Sequence, residues 1–290
     1  MGNHIRPRRS VLYMPGSNAR ALEKARTLPA DALIFDLEDA VAPAAKADAR
    51  AAVMAAVGSG AYGHRELIVR VNGLDTPWGR DDLAAAAASP ADAVLLPKVS
   101  GPEDVATAGR VLKDAATGPQ KGLWAMAETP DSIRQIDRIA TADPALQTIV
   151  MGLNDLAKAL RIPDDPARTG LLHAMSTCIL GARAQGLDIL DGVYGDLGDD
   201  AGLDRECRQG KALGFDGKTL IHPRQIAPAN KIFGVTDDEA RHCEGIVAAW
   251  DAAASAGRGV AVLDGQLIEA LHADAARRVL ALHTAIKARP

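Results

Sequence analysis

The chain has 290 residues, 48% of them hydrophobic and 24% charged, with a formal net charge of -4. That balance fills a sizeable core, and the length suits two average domains or one large α/β barrel. It excludes the strongly basic surface of a nucleic-acid binder and offers no field for an anionic membrane.

No apolar run reaches the roughly 18 residues of a membrane span, and no apolar stretch precedes "SVLYMPG" as in a signal peptide. Cys178, Cys207 and Cys243 are odd in number and widely spaced, which reads as reduced thiols in a cytoplasmic protein. The first charged stretch, "HIRPRRS" (His4 to Ser10), reads as a solvated basic arm.

The first candidate strand is "SVLYMPG" (10–16). It turns through Gly16 and Ser17 into a helix over 18–28 that carries Arg20 and Lys24 one turn apart. Such a helix start favours anions, and the same pair also fits an ordinary solvated face. The second strand, "ALIFDLED" (32–39), is apolar until it meets Asp36, Glu38 and Asp39; a helix over 43–57 follows. "ELIVRVNG" (66–73) carries Arg70 and Asn72 and leads to a helix over 79–88. "DAVLLPKV" (92–99) ends with Lys98 before a helix over 102–116, and "GLWAMAET" (122–129) ends with Glu128 before a helix over 130–140. "TIVMGLND" (148–155) ends with Asn154 and Asp155, and a helix is expected over 170–185. "LDILDGVYGD" (187–196) carries Asp191, and "DGKTLIHP" (216–223) carries Lys218 and His222, with helices over 203–213 and 224–232. Pro43, Pro102 and Pro130 fit first-turn positions, with Ser17, Asp81 and Ser100 as nearby caps. After Gly234 the pattern is helical, over 236–257 and from Ile268 onward, around an exposed turn in "RGVAVLDGQL". The expected division is therefore a β/α domain over 1–234 and a helical extension over 235–290.

Continuous apolar strands alternating with helices indicate parallel pairing. Eight such units match a closed barrel, and an open doubly wound sheet shares the pattern. In either case chemistry collects at the carboxyl ends of strands, which is where these polar residues fall. Glu128 and Asp155 end consecutive strands, with no His or Cys beside them. Two such carboxylates suit Mg²⁺, and the same spacing also suits acids capping the following helices. Arg70, inside an apolar strand, needs a carboxylate partner: either a substrate, gripped bidentately, or Asp36 or Glu38 in a structural pair. Lys98 reads as a partner of those acids rather than as a Schiff-base lysine, since carboxylates raise its pKa. His222, before a proline, reads as a loop-fixing hydrogen-bonder. The G-x-G-x-x-G, P-loop and nucleophile-elbow patterns are absent, against nicotinamide, kinase-type and serine-hydrolase chemistry.

These segments together resemble the citrate lyase β-subunit-like, or malyl-CoA lyase-like, branch of the HpcH/HpaI aldolase superfamily. The matching pieces are "RSVLYMPGSNARALEKA", "DALIFDLEDAVAPAAKADAR", "VRVNGLDTPWGRDDL", "LLPKV", "AMAETP", "MGLNDLAKAL" and "GFDGKTLIHPRQI", in the family's order. The resemblance implies a TIM (β/α)8 barrel with a C-terminal helical lid. It implies Mg²⁺, with Mn²⁺ as a substitute, held by Glu128 and Asp155. It also implies Arg70 as substrate clamp, Glu38 beside it, and the backbone N–H groups of Leu153, Asn154 and Asp155 around a 2-oxoacid carboxylate. Asp36, Asp39 and Lys98 would surround that centre, and Arg20 and Lys24 would face the phosphates of a CoA thioester. The implied assembly is a homotrimer or a dimer of trimers, each lid closing over a neighbouring subunit.

The implied reaction is reversible carbon–carbon cleavage of malyl-, β-methylmalyl- or citramalyl-CoA to an acyl-CoA and glyoxylate or pyruvate. One motif departs. Family lyases carry a lid aspartate in a pattern resembling G-x-M-I-D, whereas "GQLIEAL" places Glu269 there, with Asp264 just before it. One extra methylene moves a carboxylate by about an ångström, enough to cost roughly 10²-fold where geometry is strict. A malyl-CoA thioesterase is the alternative that departure makes credible. A citrate lyase β-type subunit acting on a carrier-bound thioester is a separate one, against which the CoA-facing pair and the complete pair of metal carboxylates argue.

Overall fold

Strands that are apolar on both faces need cover on both faces. In the computed structural model, which describes residues 5–116 and 121–289, a parallel barrel supplies it. The strands are β1 (Ser10–Pro15), β2 (Ala32–Asp36), β3 (Glu66–Arg70), β4 (Ala93–Leu96), β5 (Gly122–Ala127), β6 (Leu146–Met151), β7 (Asp188–Asp191) and β8 (Gly217–Leu220). Each pairs in parallel with the next, and β1 pairs with both β2 and β8, so the sheet closes into a TIM (β/α)8 barrel. The open-sheet alternative is thereby excluded.

Alternation along each strand sorts the side chains. Val11, Ala32, Ile34, Ile68, Ala93, Leu95, Trp124, Met126, Val150 and Leu190 form one buried cluster, the barrel interior. By the same parity Asp36, Arg70 and Glu128 face the barrel axis, while Phe35 and Leu37 lie under the helices. Asp191 and Lys218 have the opposite parity. Both are fully buried in the outer layer, where Lys218 Nζ lies 3.0 Å from Asp191 and 2.9 Å from Glu206. Arg168 completes that network at 2.7 Å from Asp191. A charge near a strand end is therefore not by itself a site residue.

The amino-terminal basic stretch departs from the solvated arm expected of it; His4 itself lies outside the described residues. Arg8 is buried beneath the barrel, donating to both oxygens of Glu66 at 2.8 and 2.7 Å, to Asp188 at 2.7 Å and to Thr148 at 3.0 Å. Arg9 forms a two-point pair with Asp31. Inward-facing acids at the starts of β3 and β7 demand these cations, a pairing between distant segments that no local pattern announces.

Helix ends differ in detail from expectation. Asn18, not Ser17, caps the first helix (Ala19–Ala25). Gly101 precedes Pro102, and Ser100 donates to Asp104 instead of capping. Asp81 lies inside the helix Gly79–Ala88. The helix expected over 130–140 is broken at Gln135 into Pro130–Arg134 and Ile136–Ala140. The helix after β6 runs Leu153–Leu160, starting two residues before Asp155 instead of at it.

Two compact units are present: Arg8–Ile232, and the chain from Phe233 onward with the residues just before Arg8. In the second unit, helices Asp237–Ser255 and Ala270–Lys287 are bound by Asp237 with His283 and Lys287, and by Asp251 with Arg277. The segment between them is more than an exposed turn. β9 (Ala261–Leu263) and β10 (Gln266–Ile268) form an antiparallel hairpin. Its turn uses Asp264 and Gly265, with φ of 50° and 78°, the left-handed conformations a two-residue hairpin turn requires. Among the described residues no helix is long and apolar enough to cross a membrane.

Arg8→Ala removes this cation from the buried Glu66 and the half-buried Asp188. The expected loss is about 3–5 kcal/mol of unfolding free energy. Urea unfolding within about 1 kcal/mol of the parent would show that the network contributes little.

Candidate active site at the barrel mouth

The inward positions at the carboxyl ends of the strands meet in one cavity of about 410 Å³. Arg70, Glu128, Asp36 and Asp155 form its polar wall, and Met126, Met151, Val193 and Ile221 its apolar wall. Arg70 projects from the end of β3 against the end of β2. Its Nε and Nη2 donate to Asp36 Oδ1 and Oδ2, both at 2.7 Å. Nη1 lies 3.0 Å from Glu38 Oε2, and the guanidinium sits 4.8 Å from the Tyr13 ring. The structural pairing open to Arg70 is therefore formed, yet the residue still lines the cavity and keeps a spare N–H on Nη2.

Glu38 is the hub of the acidic segment. Its other oxygen lies 2.6 Å from Lys98 Nζ, while the Glu38 and Leu37 carbonyls accept from Lys46 Nζ at 2.7 and 2.8 Å. Burial pushes the Glu38 carboxyl up, and the adjacent Asp39 adds to the shift. Against the desolvation of its own position, a hydrogen bond with Glu38 and the charges of Arg70 and Lys98 hold Asp39 down. The hydrogen bond to Glu38 raises Lys98, which stays charged as expected. Asp36, Asp39 and Lys98 thus surround the site.

Lys98 acts twice. With φ of 51° it holds a left-handed conformation that costs a non-glycine about 1–2 kcal/mol. In that conformation its N–H reaches Glu128 Oε1 at 2.6 Å. Glu128 is 2% exposed, and its other oxygen has no hydrogen-bond donor among the described residues. Burial therefore pushes its carboxyl up to about 7, with repulsion from Asp155 and Glu38 adding to the effect. Glu128 does not cap the next helix: Thr129 does, accepting from the Ser132 N–H at 3.0 Å.

Helix Leu153–Leu160 starts at Gly152 and carries Asp155 in its first turn, again not at the cap. The N–H groups of Leu153, Asn154 and Asp155 have no carbonyl one turn back in the helix and sit at its positive end. A side chain at Gly152 would start 2.4 Å from Glu128 Cβ. Gly152, Tyr13, Met126 and Lys46 are the site members that motif reading missed. An isolated glycine after an apolar strand is too common a signal to mark such a packing demand.

Glu128 and Asp155 fit a hard divalent cation: one buried carboxylate lacking compensation, a second beside it, and open space for water or substrate oxygens. Among the described residues no group of three or more His, Cys, Asp or Glu gathers as a ligand set. This composition suits Mg²⁺ more than Zn²⁺. Arg20 and Lys24 are exposed on the helix after β1, where they form no ion pair with described residues. Glu269 belongs to the other unit, at the exposed start of helix Ala270–Lys287, with its N–H bonded to His272 Nδ1 at 3.0 Å.

A family model described as HpcH/HpaI aldolase/citrate lyase matches residues 9–223, and the chain belongs to that enzyme family. A (3S)-malyl-CoA thioesterase of Cereibacter sphaeroides strain KD131 is 49% identical over 288 residues, covering 99% of both chains. The citrate lyase subunit beta of Escherichia coli K12 is 40% identical over 280 residues, covering 95% of this chain and 93% of that one. Among solved structures, CitE of Mycobacterium tuberculosis in complex with magnesium, acetoacetate and coenzyme A matches with a TM-score of 0.74. It is 28% identical, over 95% of this chain and 97% of that one.

Gly152→Ala should displace the Glu128 carboxylate from the cavity wall and cost about 1–3 kcal/mol of stability. A crystal structure and urea melts of the variant check this. An unmoved Glu128 at parental stability would disprove the packing demand.

Proposed function

We propose that the barrel mouth is the active site of a Mg²⁺-dependent enzyme of 3-hydroxyacyl-CoA thioesters of the malyl-CoA class, and that it hydrolyses the thioester. The carrying observation is Glu128, 2% exposed, held by one backbone N–H and left with an undonated oxygen on the cavity. Ionising such a group is costly unless water or a cation meets it, and a cation does so best. The bound magnesium and coenzyme A of the Mycobacterium tuberculosis CitE complex support the pairing of ion and thioester. The hydrolytic branch draws support from the 49% identical malyl-CoA thioesterase, and from Glu269 standing where lyases of this family carry an aspartate.

Glu128 and Asp155 would hold the ion, which when bound polarises a substrate oxygen. Arg70, oriented by Asp36, offers its spare Nη2 N–H to a substrate carboxylate or carbonyl. The first-turn N–H groups of Leu153 to Asp155 orient an anionic end of the substrate. The apolar wall of Met126, Met151 and Val193 lowers the local dielectric on one side of the cavity, which strengthens these contacts. Arg20 and Lys24 offer cations to the CoA phosphates. Glu269, carried from its motif alone, serves as acid–base carboxylate: it takes a proton from the attacking water and returns it to the departing thiolate. A homotrimer or dimer of trimers belongs to the same proposal.

Carbon–carbon cleavage is the second reading, favoured by Arg70 standing on the same wall as Glu128. There a hydroxyl becoming a carbonyl would meet a cationic donor. Purified protein incubated with malyl-CoA and Mg²⁺ separates the two. Free malate and CoA are expected; glyoxylate and acetyl-CoA would install the second reading, and neither pair would sink both. Glu128→Ala should abolish whichever activity is found.

The pH dependence of ion binding follows from Glu128, whose pKa of about 7 lies above the ordinary carboxylate range. A raised carboxyl favours folding at low pH, and that contribution is lost as pH rises through about 7 in the metal-free protein. Below that value a proton competes with the ion, so Mg²⁺ affinity should fall about tenfold per pH unit, with proton release on binding. Calorimetry in buffers of different ionisation enthalpy reads both. Affinity that stays constant between about pH 5.5 and 7 would contradict the assignment.

A further inference from the structure

We infer that the Tyr13 hydroxyl is a substrate-facing hydrogen-bond donor that positions the carboxylate-bearing end of the substrate's acyl group beside Arg70; this rests on the reading above. Tyr13 belongs to β1, has the inward parity of Val11, and lines the cavity. Its ring packs on Arg70 with 4.8 Å from guanidinium carbon to ring centroid. A phenylalanine would serve that contact equally, so the hydroxyl needs its own explanation. A phenol in such a place ordinarily finds an oxygen or nitrogen acceptor. Here its hydrogen-bond partner is Met126 Sδ at 3.8 Å, a thioether and a weak acceptor. Arg70 Nη1 lies 3.7 Å from the same sulfur.

Two donors thus converge on one soft acceptor at the floor of a cavity whose neighbouring wall holds Glu128. Burial pushes the phenol up, so it remains a donor at neutral pH. The ligand chemistry that satisfies both donors is a carbonyl or carboxylate oxygen. On the 2-hydroxycarboxylate end of a malyl group, and on the small 2-oxoacids that share its geometry, the oxygens sit on adjacent carbons, so one can take Tyr13 and Arg70 while others remain for the ion. Tyr13 is in this sense a positioning and specificity residue for the carboxylate end of the acyl group, with no contact expected to the CoA half.

The test is Tyr13→Phe, which keeps the ring under Arg70 and removes the hydroxyl alone. Pyruvate and glyoxylate are titrated into the Mg²⁺-loaded full chain, and coenzyme A is titrated separately. The expected result is about tenfold weaker oxoacid binding, the size of a hydrogen bond to a charged group. Coenzyme A affinity and the thermal midpoint should match the parent. Tyr13→Leu, which also removes the ring from Arg70, should lose oxoacid binding at least as strongly. Oxoacid binding within about twofold of the parent in Tyr13→Phe overturns the Tyr13 assignment alone. A parallel loss of coenzyme A affinity also overturns it, since that marks a general disturbance. If the parent protein binds neither oxoacid, the Tyr13 assignment is overturned, while hydrolysis of malyl-CoA, assayed separately, decides the functional reading.

Discussion

The two-point pair between Asp36 and Arg70 is the contact on which the barrel mouth depends. Both side chains are buried, so each desolvated charge requires the other. Geometry makes the pair possible: Asp36 and Arg70 are register partners at the ends of adjacent strands, with side chains on the same face. Once formed, it fixes where the guanidinium stands, and through it the Tyr13 ring, the Met126 sulfur and one oxygen of Glu38. The pair also receives the Glu38 N–H on Asp36 Oδ1 at 2.8 Å, which bends the chain out of β2. The acidic segment after that strand is therefore shaped by the pair before any ligand arrives.

From there order passes to Glu128 through Lys98. Lys46, buried against Trp78, holds the carbonyls of Leu37 and Glu38, so Glu38 presents its carboxylate to Lys98 from a fixed backbone. Lys98 then aims its N–H at Glu128 from a strained conformation. Strain of this kind persists where surrounding contacts over-determine the backbone. The chain of contacts runs from β2 to β5 without crossing the barrel core. A disturbance at Lys46 would thus be felt at Glu128, although the two never touch.

How much of this was legible in the sequence depended on whether a feature was local. The β/α alternation was, because apolar strands and helix-entry signals repeat within short windows. Glu128, Asp155, Arg70 and the acids after β2 were, because each interrupts an apolar run. What alternation hides is parity: Lys218 and Asp191 interrupt their strands just as conspicuously, yet they face outward and neutralise each other. The local pattern around Arg8 fits a solvated arm because its partners, Glu66 and Asp188, lie 58 and 180 residues away. The requirement for glycine at Gly152 exists only once Glu128 is placed against it. Tyr13 looked like one more apolar strand residue, since a hydroxyl lacking a strong acceptor leaves no trace in sequence.

The balance of charge at the mouth gives these local details a common sense. Asp36, Glu38, Asp39, Glu128 and Asp155 outnumber Arg70, Lys98 and Lys46; Arg70 is already committed to Asp36, and Lys46 to the Leu37 and Glu38 carbonyls. An anionic substrate approaching this surface meets repulsion unless something else neutralises it. Side-chain cations do not supply that: Lys98 is drawn to Glu38 and Asp39, and its hydrogen bond to Glu38 keeps it charged there. A divalent ion shared by Glu128 and Asp155 would reverse the local sign and leave room for substrate oxygens. The site therefore makes chemical sense as an ordered cage of acids, in which Glu128 and Asp155 would take the proposed ion while the rest hold the frame.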